Sequence, residues 1–263
     1  MRIFGVDFTC APRRAKPITV AVGRLKGSCL ALTEVERLES FAAFEALLAR
    51  PGPWIGGFDF PFSLPLELSR DLGWPLAWPE LVAHCASFDR KRLRAILDDY
   101  RATRPAGKKY AHRMTDGPAG SSSPMKLVNP PVALMFHEGA RRLLASGVDI
   151  PGLRKTGDRR VALEAYPGLL VRKQLGLRAS YKSDTRAEHT PERKQVRTRV
   201  VQALRRGKPL GIKLETRIDL AADGSGDTLD AAICAVQAAW AARRTGYGIP
   251  ADALAGEGWI VSS

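Results

Sequence analysis

Cysteine is scarce in this chain: Cys10, Cys29, Cys85 and Cys234 are the only four in 263 residues. No two form a C-x-x-C pair, and four in a chain of this length make no disulfide scaffold. Histidine is equally rare. His84-Cys85 has no partners at zinc-ligand spacing, and His84, His112, His137 and His189 read as structural or surface residues rather than catalytic ones. Around His137 the sequence runs Phe136-His137-Glu138-Gly139-Ala140-Arg141, so Arg141 stands where H-E-x-x-H needs its second histidine. A phosphate-binding P-loop is missing too. Gly107-Lys108 is present, but Ala102 and Lys109 replace the required glycine and Ser/Thr. No apolar run approaches the ~18 residues of a membrane-crossing helix. The opening Met-Arg-Ile-Phe-Gly has none of the regions of a secretory signal. These absences lead us to expect a reduced, cytoplasmic protein with no membrane partner.

Acid is also in short supply. Asp and Glu number 27 against 41 Lys and Arg, a net charge of +14. Such a balance points to a polyanionic partner, most simply nucleic acid, with DNA and RNA both open; a compositional bias toward Arg and Ala is the plain alternative. Hydrophobic residues make up 45%, enough for a sizeable core.

Within this basic chain two short acidic motifs repeat. Gly5-Val6-Asp7-Phe8 and Gly57-Phe58-Asp59-Phe60 each end an apolar run. Both runs read as buried strands with a carboxylate near the last residue. Side chains alternate along a strand, so each glycine shares a face with the aspartate two residues on. Glycine there marks the close approach of a ligand or of another backbone. Two buried acids at neighbouring strand ends repel unless a cation or a proton lies between them.

Periodicity places strands at 2–8, Pro17–Gly23, Ser28–Glu36, 54–60 and 161–167, with a helix after Ser40 between the third and fourth. Three strands joined by short turns form a meander. The strand-helix-strand unit that follows favours a parallel pair, so the expected sheet is mixed and five-stranded, flanked by helices. Residues 62–158 break the rhythm: 80–101 reads as one helix, 101–131 as a long basic loop and 131–146 as another helix. Further helices are expected at 168–176, 191–206 and 228–244. In the last, Leu229, Ile233, Val236 and Trp240 form an apolar stripe expected to pack on the sheet.

Asp227 and Asp230 open that last helix. At ~100° per residue, Asp230 borders the stripe and Asp227 lies further out. A helix N-cap or first-turn acid accounts equally for Asp227, and a capping box for Asp230. Glu164, near the end of the fifth strand, is either a further site acid or the partner of an arginine. Buried acids from several strand ends are costly unless they converge on a cation. Hard cations such as Mg²⁺ prefer carboxylate oxygen. A basic surface could hold a phosphate backbone around such a centre. Lys108, Lys109, Tyr110 and Arg113 in the long loop are candidates for that contact, with Tyr110 able to stack on a base. A solvated loop is the alternative.

Taken together, the first-strand Asp7, the meander, the helix, the fourth-strand Asp59 and the final Asp-x-x-Asp-Ala resemble the ribonuclease H-like fold. The ending is similar to that of RuvC-type resolvases. More narrowly, G-V-D, G-F-D-F-P, E-A-Y-P (Glu164 to Pro167), D-T-L-D-A-A (from Asp227) and Glu257-Gly258-Trp259-Ile260 resemble the DUF429 family of predicted ribonuclease H-like nucleases. The resemblance implies one domain over 1–263, with a core of about 1–61 and 159–263 and a helical and loop insertion of about 62–158. It implies a nuclease using Mg²⁺ or Mn²⁺, with Asp7, Asp59 and Asp230 at the metal-ligand positions and Asp227 and Glu164 as further catalytic acids. Ribonuclease H proper takes a Glu from its first helix; the only acid inside that helix here is Glu45. Two other readings stay open. One is a nucleic-acid-binding protein that does not cut. The other is a nucleotide phosphotransferase that uses Gly224-Ser225-Gly226 as a phosphate loop.

Overall fold

A computed structural model describes residues 1–263. Six strands form one mixed sheet: β1 (Arg2–Asp7), β2 (Ile18–Lys26), β3 (Cys29–Leu38), β4 (Trp54–Asp59), β5 (Arg160–Glu164) and β6 (Lys213–Glu215). Their order is β5-β4-β1-β2-β3-β6. β2 alone runs against its neighbours; β1–β4, β4–β5 and β3–β6 are parallel pairs. The five expected strands are all present. The sheet has a sixth, β6, because three residues bonded beside the start of β3 are too few to show a period.

Helices cover both faces. α1 (Phe41–Leu48) begins at Ser40, whose hydroxyl accepts from the Ala43 amide at 3.2 Å. After β4 come α2 (Leu66–Asp71), α3 (Trp78–Ala86), α4 (Arg90–Thr103), the four-residue α5 (Asp116–Ala119) and α6 (Val132–Ser146). The single helix expected over 80–101 is two, because Asp89 accepts from the Arg92 amide and starts a new one. A π-helical segment spans Leu169–Gln174. α7 (Pro191–Arg205) and α8 (Asp227–Ala241) follow.

Strand alternation sorts the apolar residues into two cores. Phe4, Val6, Val20, Trp54 and Phe58 face α1 and the helices of 62–158. Ile3, Ala21, Leu30, Ile55, Val161 and Leu163 face α7 and α8. Each Asp-Phe pair divides between these faces. Phe8 and Phe60 turn into the first core, their ring centroids 4.5 Å apart, and Asp7 and Asp59 remain on the α8 side.

α8 is the central helix. Every residue from Asp227 to Ala241 is buried except Trp240. The face meeting Gly5 and Gly57 is built from Ala231, Cys234, Ala235 and Ala238. At ~100° per residue these lie opposite Leu229, Ile233, Val236 and Trp240. The apolar stripe therefore packs away from the glycines, sharing a core with Val196, Val200 and Leu204 of α7. This reverses the sequence expectation. A helix buried on both sides places its small residues where the backbones come closest, and its larger ones mark the other face.

Candidate metal centre

Asp7 and Asp59 are direct neighbours. β1 and β4 pair in parallel with Gly5 beside Gly57 and Asp7 beside Asp59. The space above the two glycines is taken by the backbone of α8. A methyl at Gly5 would lie 2.0 Å from the Ala231 carbonyl oxygen, and one at Gly57 would lie 2.4 Å from that of Cys234. This close approach brings Asp230 down onto the strand ends. One carboxylate oxygen from each of Asp7, Asp59 and Asp230 lies within 4.8 Å of the others, so the triad could hold a metal ion. Of the three, Asp230 alone is hydrogen-bonded. It accepts from the Tyr181 hydroxyl at 2.6 Å and from the Lys182 ammonium.

Neither opening acid of α8 caps it. Asp223 does so, accepting from the amide and hydroxyl of both Ser225 and Thr228. Those bonds also engage the Ser225 amide, the middle one of the Gly224–Gly226 turn. Asp227 is held by Lys16, whose Nζ donates to it at 2.9 Å and to Asp184 at 2.7 Å. Lys16, Tyr181 and Lys182 gave no signal in the sequence. They lie in loops without periodicity, and a lysine is unremarkable among 41 cations.

The electrostatics follow from this crowding. Burial pushes the Asp7 carboxyl well above the usual range, and the charges of Asp227 and Asp230 push the same way. Burial also drives Asp59 up to about 7, against the pull of Lys182. Burial alone would weaken the Lys182 ammonium, but Asp230 and the neighbouring acids reverse this and hold it firmly charged. Tyr181 is pushed up by burial and by Asp230, so its hydroxyl keeps its proton and donates. The donor set fits a hard divalent cation. Asp7 and Asp59 offer carboxylate oxygens to an open cleft, and Asp230 is the third oxygen ligand in reach.

That cleft, about 750 Å³, opens over the strand ends. Its lining includes Asp7, Asp59, Asp227, Glu164, Lys16, Lys126, Arg172 and Lys182. Glu164 comes from the other sheet face, with Ala162, and lies outside the triad. Its carboxylate accepts from Arg113 through both Nη atoms at 2.7 Å and from the Phe62 amide at 2.9 Å. Burial pushes Glu164 up and Arg113 pulls against it. Arg113 is therefore not the solvated phosphate contact that the sequence led us to expect. It is 3% exposed and is shared between Glu164 and Asp116. The C-terminal Glu257 completes this knot, accepting from the Leu66 and Met114 amides.

Arg113 still reaches the cleft wall from within this knot, whereas the other expected contacts do not line the cleft. Lys108, Lys109 and Tyr110 line a separate shallow depression with Glu67, Arg104 and His112. Tyr110 already has the Arg101 guanidinium over its ring, 4.8 Å from the centroid, so that face is not free to stack on a base. Glu45 pairs with Arg142 at 3.0 Å on the outside of α1 and does not line the cleft.

Fold and site together define a mixed α/β protein with an acidic triad at the carboxyl ends of two parallel strands. No family model, no curated protein and no solved structure matches the chain. No helix is long and apolar enough to cross a membrane.

Proposed function

We propose that the chain is a nucleic-acid phosphodiesterase of the ribonuclease H-like type, with Asp7, Asp59 and Asp230 holding Mg²⁺ or Mn²⁺. The observation that carries this reading is the triad itself: three carboxylate oxygens within 4.8 Å at the base of a cleft whose lining includes Lys16, Lys126, Arg172 and Lys182. The order of acids and elements that underlies the sequence resemblance supports the same reading. Residues 1–263 are then one ribonuclease H-like domain, and the insertion 62–158 builds one wall of the cleft through Lys126 and Pro130–Val132.

A divalent cation bound at the triad supplies Lewis-acid polarisation of a phosphodiester and lowers the pKa of water. The chain's own groups do the rest. Lys126 and Arg172 hold the phosphate backbone against the acids. The Tyr181 hydroxyl fixes the orientation of the Asp230 carboxylate. Asp227, with Lys16, and Glu164, with Arg113, set the charge around the triad.

The test is cleavage of labelled single-stranded, duplex, hybrid and branched substrates in Mg²⁺, Mn²⁺ and EDTA, with an Asp7→Asn/Asp59→Asn double variant alongside. Metal-dependent cutting by the wild type and its loss in the variant are expected. A second reading, a nucleic-acid-binding protein that does not cut, is favoured by one observation: Lys182 and Lys16 already pair with Asp230 and Asp227. Binding without cutting under every metal would establish it.

A further inference from the structure

Lys182 has an unusual place among the acids. Asp7, Asp59, Asp227 and Asp230 crowd one end of the sheet, and two ammonium groups stand among them. Lys16 serves Asp227 together with the exposed Asp184. Lys182 serves Asp230, the one triad acid that is fully buried. Asp7 and Asp59 have oxygens open to the cleft, whereas Asp230 already holds a cation. All three can act on one metal ion only if Lys182 lets go.

The backbone around Lys182 is fixed. The Tyr181 carbonyl accepts from the buried Arg197 at 2.7 Å, and the Ser183 amide donates to Gly224 at 3.2 Å. Lys182 also packs on Gly226, where an added methyl would meet its Cβ at 2.6 Å. The side chain itself is 43% exposed and lines the cleft. Release therefore needs a rotation of one flexible side chain and no movement of the loop. Asp7 and Asp59 have no hydrogen-bonded cation of their own, so a divalent ion at the triad brings two positive charges where the displaced ammonium removes one.

We propose that Lys182 is the resident counter-ion of the acidic centre, and that a divalent cation binds by displacing its ammonium from Asp230, freeing Lys182 at the cleft wall to hold a phosphate oxygen. This rests on the metal-dependent reading above and adds a regulatory step to it: the site is held closed by its own lysine until metal arrives.

The experiment is a Mn²⁺ titration followed by electron paramagnetic resonance, on wild type, Lys182→Gln, Lys182→Arg and the Asp7→Asn/Asp59→Asn variant. Removing a competing charge in contact with the ligand should tighten Mn²⁺ binding by about tenfold or more in Lys182→Gln. Lys182→Arg, which keeps the charge, should stay near wild type. In the unaltered protein, acylation of Lys182 read by mass spectrometry should rise several-fold on adding Mn²⁺, since the freed amine is no longer ion-paired. Mn²⁺ binding that is unchanged or weaker in Lys182→Gln, or acylation that ignores Mn²⁺, overturns the exchange and leaves the metal site standing. Absence of Mn²⁺ binding in both wild type and Lys182→Gln overturns the exchange and the metal reading together.

Discussion

Asp7 lies beside Asp59 in register, and burial with the charges of Asp227 and Asp230 pushes its carboxyl well above the usual range. An ionised group so placed opposes folding. Asn keeps the shape and removes the charge, so Asp7→Asn should stabilise the metal-free protein. A gain of about 1 kcal/mol, or roughly 2–4 °C in midpoint for a chain of this size, is expected by calorimetry in EDTA. The same variant should lose any stabilisation by Mn²⁺. A lower midpoint in EDTA would mean that Lys16 and Lys182 already compensate Asp7 fully. Glu138 on α6 is the opposite case. It is buried, and burial alone would raise its carboxyl, yet contacts from His137, Arg142 and Arg90 and the charge of Arg141 outweigh that and hold it far below the usual range. A carboxyl depressed in the folded state stabilises fully above its unfolded pKa of ~4.3, and that contribution is lost as pH falls toward the folded value. Glu138→Gln should therefore cost about 2 kcal/mol at pH 7, the scale of a charged hydrogen bond. The gap from wild type in urea unfolding should narrow steadily below about pH 4. A gap that stays constant between pH 7 and 3 would show that the glutamate acts through packing.

Among the elements, α8 and the two strands beneath it act as one unit, because the glycines let the helix backbone touch the sheet. Gly5→Ala would set a methyl 2.0 Å from the Ala231 oxygen and 2.3 Å from the Ala235 nitrogen. Backbone cannot yield as a side-chain tip can, so a loss of about 3 kcal/mol or more is expected in denaturant unfolding. Gly117→Ala, with nothing within 4 Å, is the control and should stay near zero. A mild effect at Gly5 would mean that α8 can lift off the sheet, and with it Asp230. This contact also explains what could be read beforehand. The Gly-x-Asp-Phe repeat marked β1, β4, their acids and a close approach, because strand alternation links residues two apart. It did not say whether ligand or backbone fills the space; α8 is 170 or more residues further along the chain, beyond any local pattern. The apolar stripe marked α8 as a helix but not which side met the sheet, since both sides are buried. Arg113 resembled the solvated cations around it. Its burial depends on Glu164 and Asp116, and on the C-terminal segment that crosses the end of β5 and bonds Val261 to Glu164.

For the molecule as a whole, the acids and the excess of base must be fitted into one picture. The net charge of +14 is spread over many side chains, so by itself it names neither a partner nor a surface. The cleft makes a sharper claim. Lys126 and Arg172 line it with Asp7 and Asp59, whereas Lys108 and Lys109 line a depression of their own. Neutralised phosphates release counter-ions, so each cation that meets the backbone contributes about 0.7–0.9 to the slope of log affinity against log salt. Binding of labelled single-stranded and duplex DNA and RNA can be followed in EDTA over a range of salt. Lys126→Ala and Arg172→Ala should each lower that slope by roughly 1 and weaken binding to all sequences alike. Lys108→Ala/Lys109→Ala should leave the slope where it is. The reverse pattern would put the nucleic acid over residues 104–112, away from the acids, and would separate binding from the triad altogether. A slope untouched by either pair would mean that the charge of this chain serves no nucleic acid at these surfaces.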